Sequence, residues 1–342
     1  MSPVRRVGIV GAGMAGLAAA RVLRESGAQV QLWDKGRSVG GRVSIRRAGA
    51  LGFDHGAQYF TARDARFLEV LRPLRDEGLV APWRGRIVAF PAGDGEGPTG
   101  SPREVDGSVE RLVGVPAMNA LPKALARGLD VRTGVRVERA ELVDDGWRLI
   151  GAEGPGSDGG PGGDVLGTYE ALLVTAPPAQ AARLLGPTQS LARTAETVAM
   201  RRAWAVLLGF EERYDVPFDG AFGNDPRLSW MARNSSKPGR GTAECWVLHG
   251  LPVPGEAAHR QEALRVMPEL LAERTGRALP RVVHADAHLW GYAGPVDEQP
   301  VPASGLRDAA RKLALAGDGY AGGRVEGAFL SGWEAGLWLA SR

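Results

Sequence analysis

Gly11, Gly13 and Gly16 stand at the spacing G-x-G-x-x-G, directly after the apolar run RRVGIV and at the start of a stretch with helical periodicity. That arrangement suits a diphosphate. Gly11 permits the tight turn, Gly13 lets the backbone approach the pyrophosphate, and Gly16 lets helix and strand pack closely. The free N–H groups of the helix start then point at the phosphates. Ala15 lies in that first turn. Asp34 ends the next strand, where a carboxylate accepts hydrogen bonds from an adenosine ribose and repels a 2′-phosphate. Lys35 follows directly and joins the candidate cofactor contacts. By themselves these residues specify a dinucleotide, but not which one.

The continuation KGRSVGGRV narrows the choice. Gly40 and Gly41 let a second loop lie against the cofactor, and the Arg42 guanidinium can neutralise a pyrophosphate. An NAD site has no use for Gly-Gly-Arg at that place; the longer, more buried FAD does. Far along the chain, Gly317-Asp318-Gly319 follows an apolar strand and precedes a helix. Asp318 is placed to hold the ribityl or pyrophosphate region. A helix beginning near Val325 would aim N–H groups at the flavin O2 edge and stabilise the reduced anion. The expected cofactor is FAD. It is expected to be noncovalent, because Cys245, the single cysteine, sits among strand residues without an attachment context.

These residues need a scaffold, and the rest of the chain describes one. Its 342 residues are a two-domain length. Hydrophobic content of 44% and charged content of 24% are those of a globular protein. One cysteine excludes an intrachain disulfide, a CxxC redox pair and a Cys-based zinc site, and fits a reducing cytosol. The net charge of +3 comes without a Lys/Arg block, so no nucleic-acid partner is expected. The N-terminal arginines and apolar run are not a signal peptide, because the glycines sit at functional spacing and a strand follows Gly27. No apolar stretch reaches the ~20 residues that span a bilayer. A cytoplasmic protein is expected.

Residues 5–10 and 29–33 read as strands flanking a helix over Met14–Ser26, the opening of a βαβ unit with a parallel sheet. Further helices are expected at Ala65–Glu77, Met118–Arg127, Ala179–Leu185 and Glu262–Thr275. Strands are expected at 135–150, 169–175, 202–210, 228–233, 243–249 and 282–290, with a hairpin turn at Asp144-Asp145-Gly146. The Gly/Pro stretch 151–164 reads as a surface loop without chemistry. The pattern gives an α/β fold: a Rossmann-type FAD-binding domain built from both chain ends (1–60, 107–190 and 305–342), with an inserted mixed-sheet substrate domain (61–106 and 191–304).

The succession of GxGxxG, Asp34, Gly40-Gly41-Arg42 and FDHGAQYFTARD at 53–64 resembles the renalase family of the FAD-dependent amine-oxidase superfamily. GVPAMNALPKALARGLDVRTGVRV, LLVTAPPAQ, WMARNSSKPGR, WVLHG, HLWGYA and the terminal LAGDGYAGGRVEGAFLSG extend the likeness along the whole chain. The resemblance implies a p-hydroxybenzoate-hydroxylase-like fold. It implies that Val137 holds the adenine through its backbone, that Gln58 and Tyr59 lie near the flavin ring, and that the loop 114–118 frames the cofactor. The sequence departs from the family at Gly291, where an arginine is common, and at Ser44-Ile45 after the GGR.

The resemblance further implies oxidation of the 2- and 6-dihydro isomers of NAD(P)H, with hydride passing to flavin N5. O2 is the final acceptor, giving NAD(P)+ and H2O2. A dihydropyridine needs no base, since aromatisation drives hydride loss; the protein need only stack the ring and exclude water. His249 and Asn234 each end an apolar strand and become candidates to reach the carboxamide or ribose; Tyr292 and Trp290 could wall the pocket. On residue type alone, His249 is a structural histidine and the aromatics are core. His55 reads as a brace of its loop. His284 and His288 share a strand face without the further ligands a metal needs, so no metal is expected. Two other readings stay open: an amine or carbon–carbon oxidase on the same scaffold, and a non-catalytic flavin-binding redox protein.

Overall fold

The computed structural model describes residues 4–91, 101–144, 146–152, 163–252, 259–297 and 300–342. Asp145 of the expected turn and most of the Gly/Pro stretch lie outside them. The chain divides into two compact units. One comprises Met1–Arg42, Pro122–Met200 and Gly294–Arg342; the other comprises Val43–Leu121 and Arg201–Ala293. Residues 43–60 and 107–121, expected with the cofactor domain, therefore fall in the second unit. Backbone pairing holds them there: Val80–Pro82 runs antiparallel to Leu112–Gly114, and Phe60 bridges to Leu112.

The first unit centres on a six-stranded sheet. Its order is Arg307–Asp308, Leu313–Leu315, Ala171–Val174, Arg6–Val10, Gln29–Asp34 and Asp130–Thr133. All neighbours are parallel except the first pair. Arg6–Val10 and Ala171–Val174 are covered on both faces, which is why they read as unbroken apolar runs. The helix Met14–Glu25 buries Leu17, Ala18, Ala19, Ala20 and Leu23 completely.

The C-terminal helix Val325–Ala340 crosses this helix at very short range. A Cβ on Gly332 would stand 2.0 Å from the Ala15 carbonyl oxygen, and one on Gly336 would stand 3.0 Å from Ala19 Cα. Four residues apart, the two glycines share one helix face. Beside the main sheet, Val137–Val143, Gly146–Gly151 and Val165–Tyr169 form an antiparallel sheet. The expected 135–150 segment is thus a hairpin, with Val143 opposite Gly146.

The second unit is built on a seven-stranded mixed sheet. Its order is Val282–Pro295, Met200–Phe210, Glu244–Gly250, Leu228–Arg233, Gly220–Asp225, Ile87–Ala89 and Arg103–Glu104. Side chains alternate between faces. One face carries Val206, Leu208, Met231, Trp246 and Leu248 against Met267, Leu270 and Leu271 of the helix Arg260–Thr275. The other carries Leu207, Cys245 and Val247 under Phe53. On this second face a row of register partners crosses four strands: Phe222 opposite Trp230, Trp230 opposite His249, and His249 opposite Ala205. The strand Gly220–Asp225 carries no apolar alternation strong enough to announce it, and sequence reading missed it.

The whole is an α/β fold with a Rossmann-type unit and a mixed-sheet unit. Among the described residues, no helix is long and apolar enough to cross a membrane. The tight helix crossing yields a test. Gly332→Ala is expected to destabilise by about 1–3 kcal/mol through overpacking. Gly107→Ala, whose Cβ meets nothing within 4 Å, is the neutral control. Urea titration followed by far-UV circular dichroism measures both.

Candidate active site

The fingerprint loop is shaped by steric exclusion. Gly11 has φ +106°, and a Cβ there would stand 2.5 Å from Thr175 Oγ1. A Cβ on Gly16 would lie 2.0 Å from the Gly11 carbonyl oxygen. Thr175, at the end of the neighbouring strand, directs its hydroxyl at the carbonyl oxygens of Val10 (3.1 Å) and Gly11 (3.0 Å). Sequence reading missed Thr175, although its place after the apolar run LLV was a usable signal.

Gly13 differs from its neighbours. It is the N-cap of the helix Met14–Glu25, it offers no side-chain cap, and the first turn, which includes Ala15, has no acidic residue. A Cβ on Gly13 would meet nothing within 4 Å. The space beside a helix N-terminus is thus kept open and positively polarised, as a pyrophosphate requires.

Asp34 holds this loop. Its Oδ2 accepts from the Ala12 N–H (2.6 Å), and its Oδ1 accepts from the Gly36 N–H (2.6 Å). Each oxygen keeps a further lone pair for a ribose hydroxyl. The Gly40 N–H donates to the Ala12 carbonyl (2.8 Å), which brings the second loop back onto the first; a Cβ on Gly41 would lie 3.7 Å from Gly13 Cα.

Arg42, expected on a pyrophosphate, forms a bidentate ion pair with Asp318, the other distant candidate. Nη1 reaches Oδ2 at 2.8 Å and Nη2 reaches Oδ1 at 2.5 Å. The two cofactor motifs from opposite ends of the chain are locked together. Lys35 donates to Gln180 Oε1 (3.0 Å); burial, and then the charge of Arg136, lower its pKa. Val137 opens its strand half-buried against the core. Val325 opens the C-terminal helix, whose N-cap Arg324 makes no side-chain cap.

In the second unit the loop containing Asp54–Tyr59 covers the sheet face that carries the Trp230–His249 row. The His55 carbonyl oxygen accepts two hydrogen bonds, from Trp290 Nε1 (2.9 Å) and His249 Nε2 (3.1 Å). A carbonyl only accepts, so Nε2 of His249 carries the proton and Nδ1 keeps the lone pair. The His55 ring stacks on Trp290 at 5.0 Å and meets His288 edge-on at 5.2 Å. Tyr292 lies two residues beyond Trp290 on the same strand face.

Burial pushes both His249 and His55 down to about 4, with the nearby His288 and Arg46 lowering His55 further. The rings are neutral at physiological pH. Two buried polar atoms on this face, His55 Nδ1 and Trp230 Nε1, have no partner. Tyr59 packs against Trp83 and Trp230. His284 stacks on Phe53. Among the described residues, no group of three or more His, Cys, Asp or Glu could hold a metal ion. Cys245 is buried, and its thiol is pushed up to about 11 by burial.

Two candidates have other roles. Asn234 is fully buried: Nδ2 donates to the Gly52 carbonyl (2.9 Å), and Oδ1 accepts from Lys237 Nζ (3.0 Å) and the Asp54 N–H (3.4 Å). Gln58 donates to the carbonyls of Asp54 and Gly56 and accepts from Lys237 Nζ (3.1 Å). The whole Gln58 amide, and all of the Asn234 amide but one N–H, is engaged by the protein itself, so both residues brace this loop. The group they surround was missed in the sequence: Asp54, Lys237 and Arg240, a buried cluster of one carboxylate and two cations.

A Rossmann unit with this fingerprint, a locked Gly-Gly-Arg/Asp pair and a separate mixed-sheet unit defines an FAD-dependent oxidoreductase. Residues 9–74 match the model of an NAD(P)-binding Rossmann-like domain, and residues 93–335 match that of the flavin-containing amine oxidoreductases. The chain belongs to the flavin-containing amine oxidoreductase family.

Solved structures share its fold at low identity. UDP-galactopyranose mutase aligns at a TM-score of 0.75 with 13% identity, covering 100% of this chain and 97% of that one. Cyclohexylamine oxidase from Brevibacterium oxydans aligns at 0.70 with 16% identity, covering 99% of both chains. Putrescine oxidase aligns at 0.68 with 14% identity, again over 99% of both.

Two tests follow from the geometry. Gly13→Ala, whose Cβ meets no protein atom within 4 Å but enters the space open to a pyrophosphate, is expected to leave the fold's stability unchanged and to abolish FAD retention. The purified variant should be colourless, with wild-type apoprotein melting temperature. The histidines give the second. His55 and His249 protonate near pH 6.5 when unfolded but only near 4 when folded. The unfolded chain therefore binds more protons in that window, and stability held above pH 6.5 is lost as pH falls toward 4. His249→Gln, which keeps an N–H donor, should flatten the slope of the urea midpoint against pH.

Proposed function

We propose that the protein is a renalase-like oxidase of dihydronicotinamide dinucleotides whose hydride sits at the wrong ring position, the 2- and 6-dihydro isomers of NAD(P)H. One observation carries the reading: the sheet face around His249 and Trp290 is aromatic and imidazole-lined, and burial holds His55 and His249 at about 4, neutral and only weakly basic. Two carboxylates act on the histidines of this face, and both are committed: Asp286 to Arg260 (2.5 Å) and Arg46 (3.3 Å), and Asp54 to Arg240 (2.7 Å) and Lys237 (3.4 Å).

A dihydropyridine suits such a face. Its C–H bond breaks with the electron pair, the ring becomes an aromatic pyridinium, and no proton has to be removed first. When bound, FAD would supply the acceptor for that hydride, and O2 would take its two electrons and its proton together with one further proton from solvent to give H2O2. Neutral His249 offers its Nδ1 lone pair to the carboxamide N–H. Trp290 and Tyr292 supply flat apolar surface for the ring. The first unit holds the cofactor through Gly13, Asp34, Arg42 and Asp318, and Val137 and Tyr59 are further contacts in this reading.

A second reading, oxidation of an amine, draws support from the family and from the cyclohexylamine and putrescine oxidases that share the fold. An ammonium substrate needs aromatic faces free for a cation. Here Lys237 Nζ already lies over the Trp83 ring at 5.4 Å and the Arg111 guanidinium over Tyr59 at 5.7 Å. The rings of Tyr59, Trp83 and Trp230 also sit within 6.4 Å of one another, packed together with no ligand-sized gap.

Anaerobic stopped-flow mixing of the FAD-loaded protein separates the readings. Rapid bleaching of the flavin by 6-dihydroNAD, with slow or no bleaching by NADH and by a panel of amines, is expected. Bleaching by an amine and not by 6-dihydroNAD would transfer the assignment to amine oxidation, and bleaching by none of them would leave a non-catalytic flavoprotein.

A further inference from the structure

The segment 230–240, WMARNSSKPGR, carries a lysine that the proposed chemistry does not use. Lys237 lies in the Gly/Pro turn after the strand Leu228–Arg233, a place where a lysine ordinarily reaches solvent. Its side chain is instead fully buried. Nζ has three donors, and three acceptors surround it: Asn234 Oδ1 at 3.0 Å, Gln58 Oε1 at 3.1 Å and Asp54 Oδ2 at 3.4 Å. Arg240, from the same turn, binds the same Asp54 oxygen through Nη2 (2.7 Å) and Nε (3.1 Å) and donates through Nη1 to the Gly114 carbonyl. The other Asp54 oxygen takes the Met118 N–H at 2.9 Å.

Asp54 and Gln58 bracket His55. Both are tied to Lys237, and the His55 carbonyl in turn holds His249 and Trp290. A line thus runs from Lys237 to the Asp54 carboxylate and the Gln58 amide, from Gln58 to the carbonyls of Asp54 and Gly56 on either side of His55, and from the His55 carbonyl to His249 and Trp290.

We infer that Lys237 is the positioning residue of the substrate face: through Asp54 and Gln58 it sets the His55 carbonyl, and through that carbonyl it sets the ring orientation and tautomer of His249 and the ring of Trp290. The role of His249 and Trp290 toward substrate rests on the proposed function; the mechanical coupling from Lys237 does not. Substituting Lys237 should therefore change residues that it does not touch. A lysine that merely fills space and satisfies charge would affect only overall stability.

The test uses FAD-loaded Lys237→Met, with Gln58→Leu as a second variant that cuts the Gln58 branch of the same line without removing a charge. In protein labelled with 15N at tryptophan and histidine, the Trp290 indole N–H should shift, and its hydrogen exchange should speed up at least tenfold. The His249 ring nitrogens should leave the single Nε2–H tautomer pattern. Wild-type-like Trp290 and His249 signals in a folded variant overturn the inference.

The kinetic arm reads the same coupling. The rate constant for flavin bleaching by 6-dihydroNAD should fall at least tenfold in the variants, while bleaching by dithionite stays at the wild-type rate. Equal 6-dihydroNAD rates in wild type and variants overturn the inference. If wild-type protein is not bleached by 6-dihydroNAD, it is the proposed function that fails, and the resonance arm still decides on Lys237. Should Lys237→Met not fold, Gln58→Leu gives both readouts.

Discussion

The carboxyl group of Asp54 is sealed from water, and the second unit is arranged around that fact. An isolated buried carboxylate is prohibitively expensive, so its oxygens must be matched where they stand. They receive Arg240, Lys237 and the Met118 N–H. Two cations against one anion leave a surplus positive charge. Neutral dipoles absorb it: the amide oxygens of Gln58 and Asn234, the carbonyls of Gly114 and Pro238, and the face of Trp83. Three segments distant in sequence (54–58, 114–118 and 234–240) thereby share one electrostatic account. Shifting any of them would strand a charge away from solvent, and a network of this kind has few alternative arrangements.

The first unit reaches comparable rigidity by the opposite means. Its decisive positions are those where an atom is absent. Gly11, Gly16, Gly332 and Gly336 each leave room that a neighbouring backbone or hydroxyl occupies, whereas Gly13 leaves room that the protein itself does not fill. Charge enters only at the rim, where Asp34 gathers two backbone N–H groups and Arg42 meets Asp318. A phosphate-binding loop needs this division of labour. The donors must be held without side chains, because side chains would stand where the ligand goes.

What the sequence revealed followed the range of the interactions involved. The fingerprint, Asp34 and the Gly-Gly-Arg were legible because their chemistry is expressed within one or two βα turns, at fixed spacings. The strands at 202–210, 228–233 and 243–249 were legible from apolar runs, and His249 could be placed at a strand end. Asn234 and Gln58 were legible as polar residues at telling positions, but their bracing of the loop was not. An amide that greets a ligand and one that braces a loop look alike until its partner is known, and that partner, Lys237, sits in a turn whose composition suggests solvent. Gly332 gave no sign of its importance, since the atom that demands it belongs to Ala15, at the other end of the chain.

That last pairing has a consequence for how the polypeptide is made. The helix Met14–Glu25 is covered by the helix Val325–Ala340, and the central sheet also waits for Leu313–Leu315. At ordinary elongation rates of about 5–20 residues per second, ~300 residues of synthesis separate the two helices, roughly 15–60 s. For that time the alanine-rich flank of the first helix has no native partner, and the cofactor loop beside it has no Asp318 to fix Arg42. The second unit, by contrast, has its last strand earlier in the chain. Synthesis order therefore lets the dinucleotide unit, whose motif is made first of the two units, close only after the second unit. In the interval, the nascent chain presents an apolar surface for chaperones to shield.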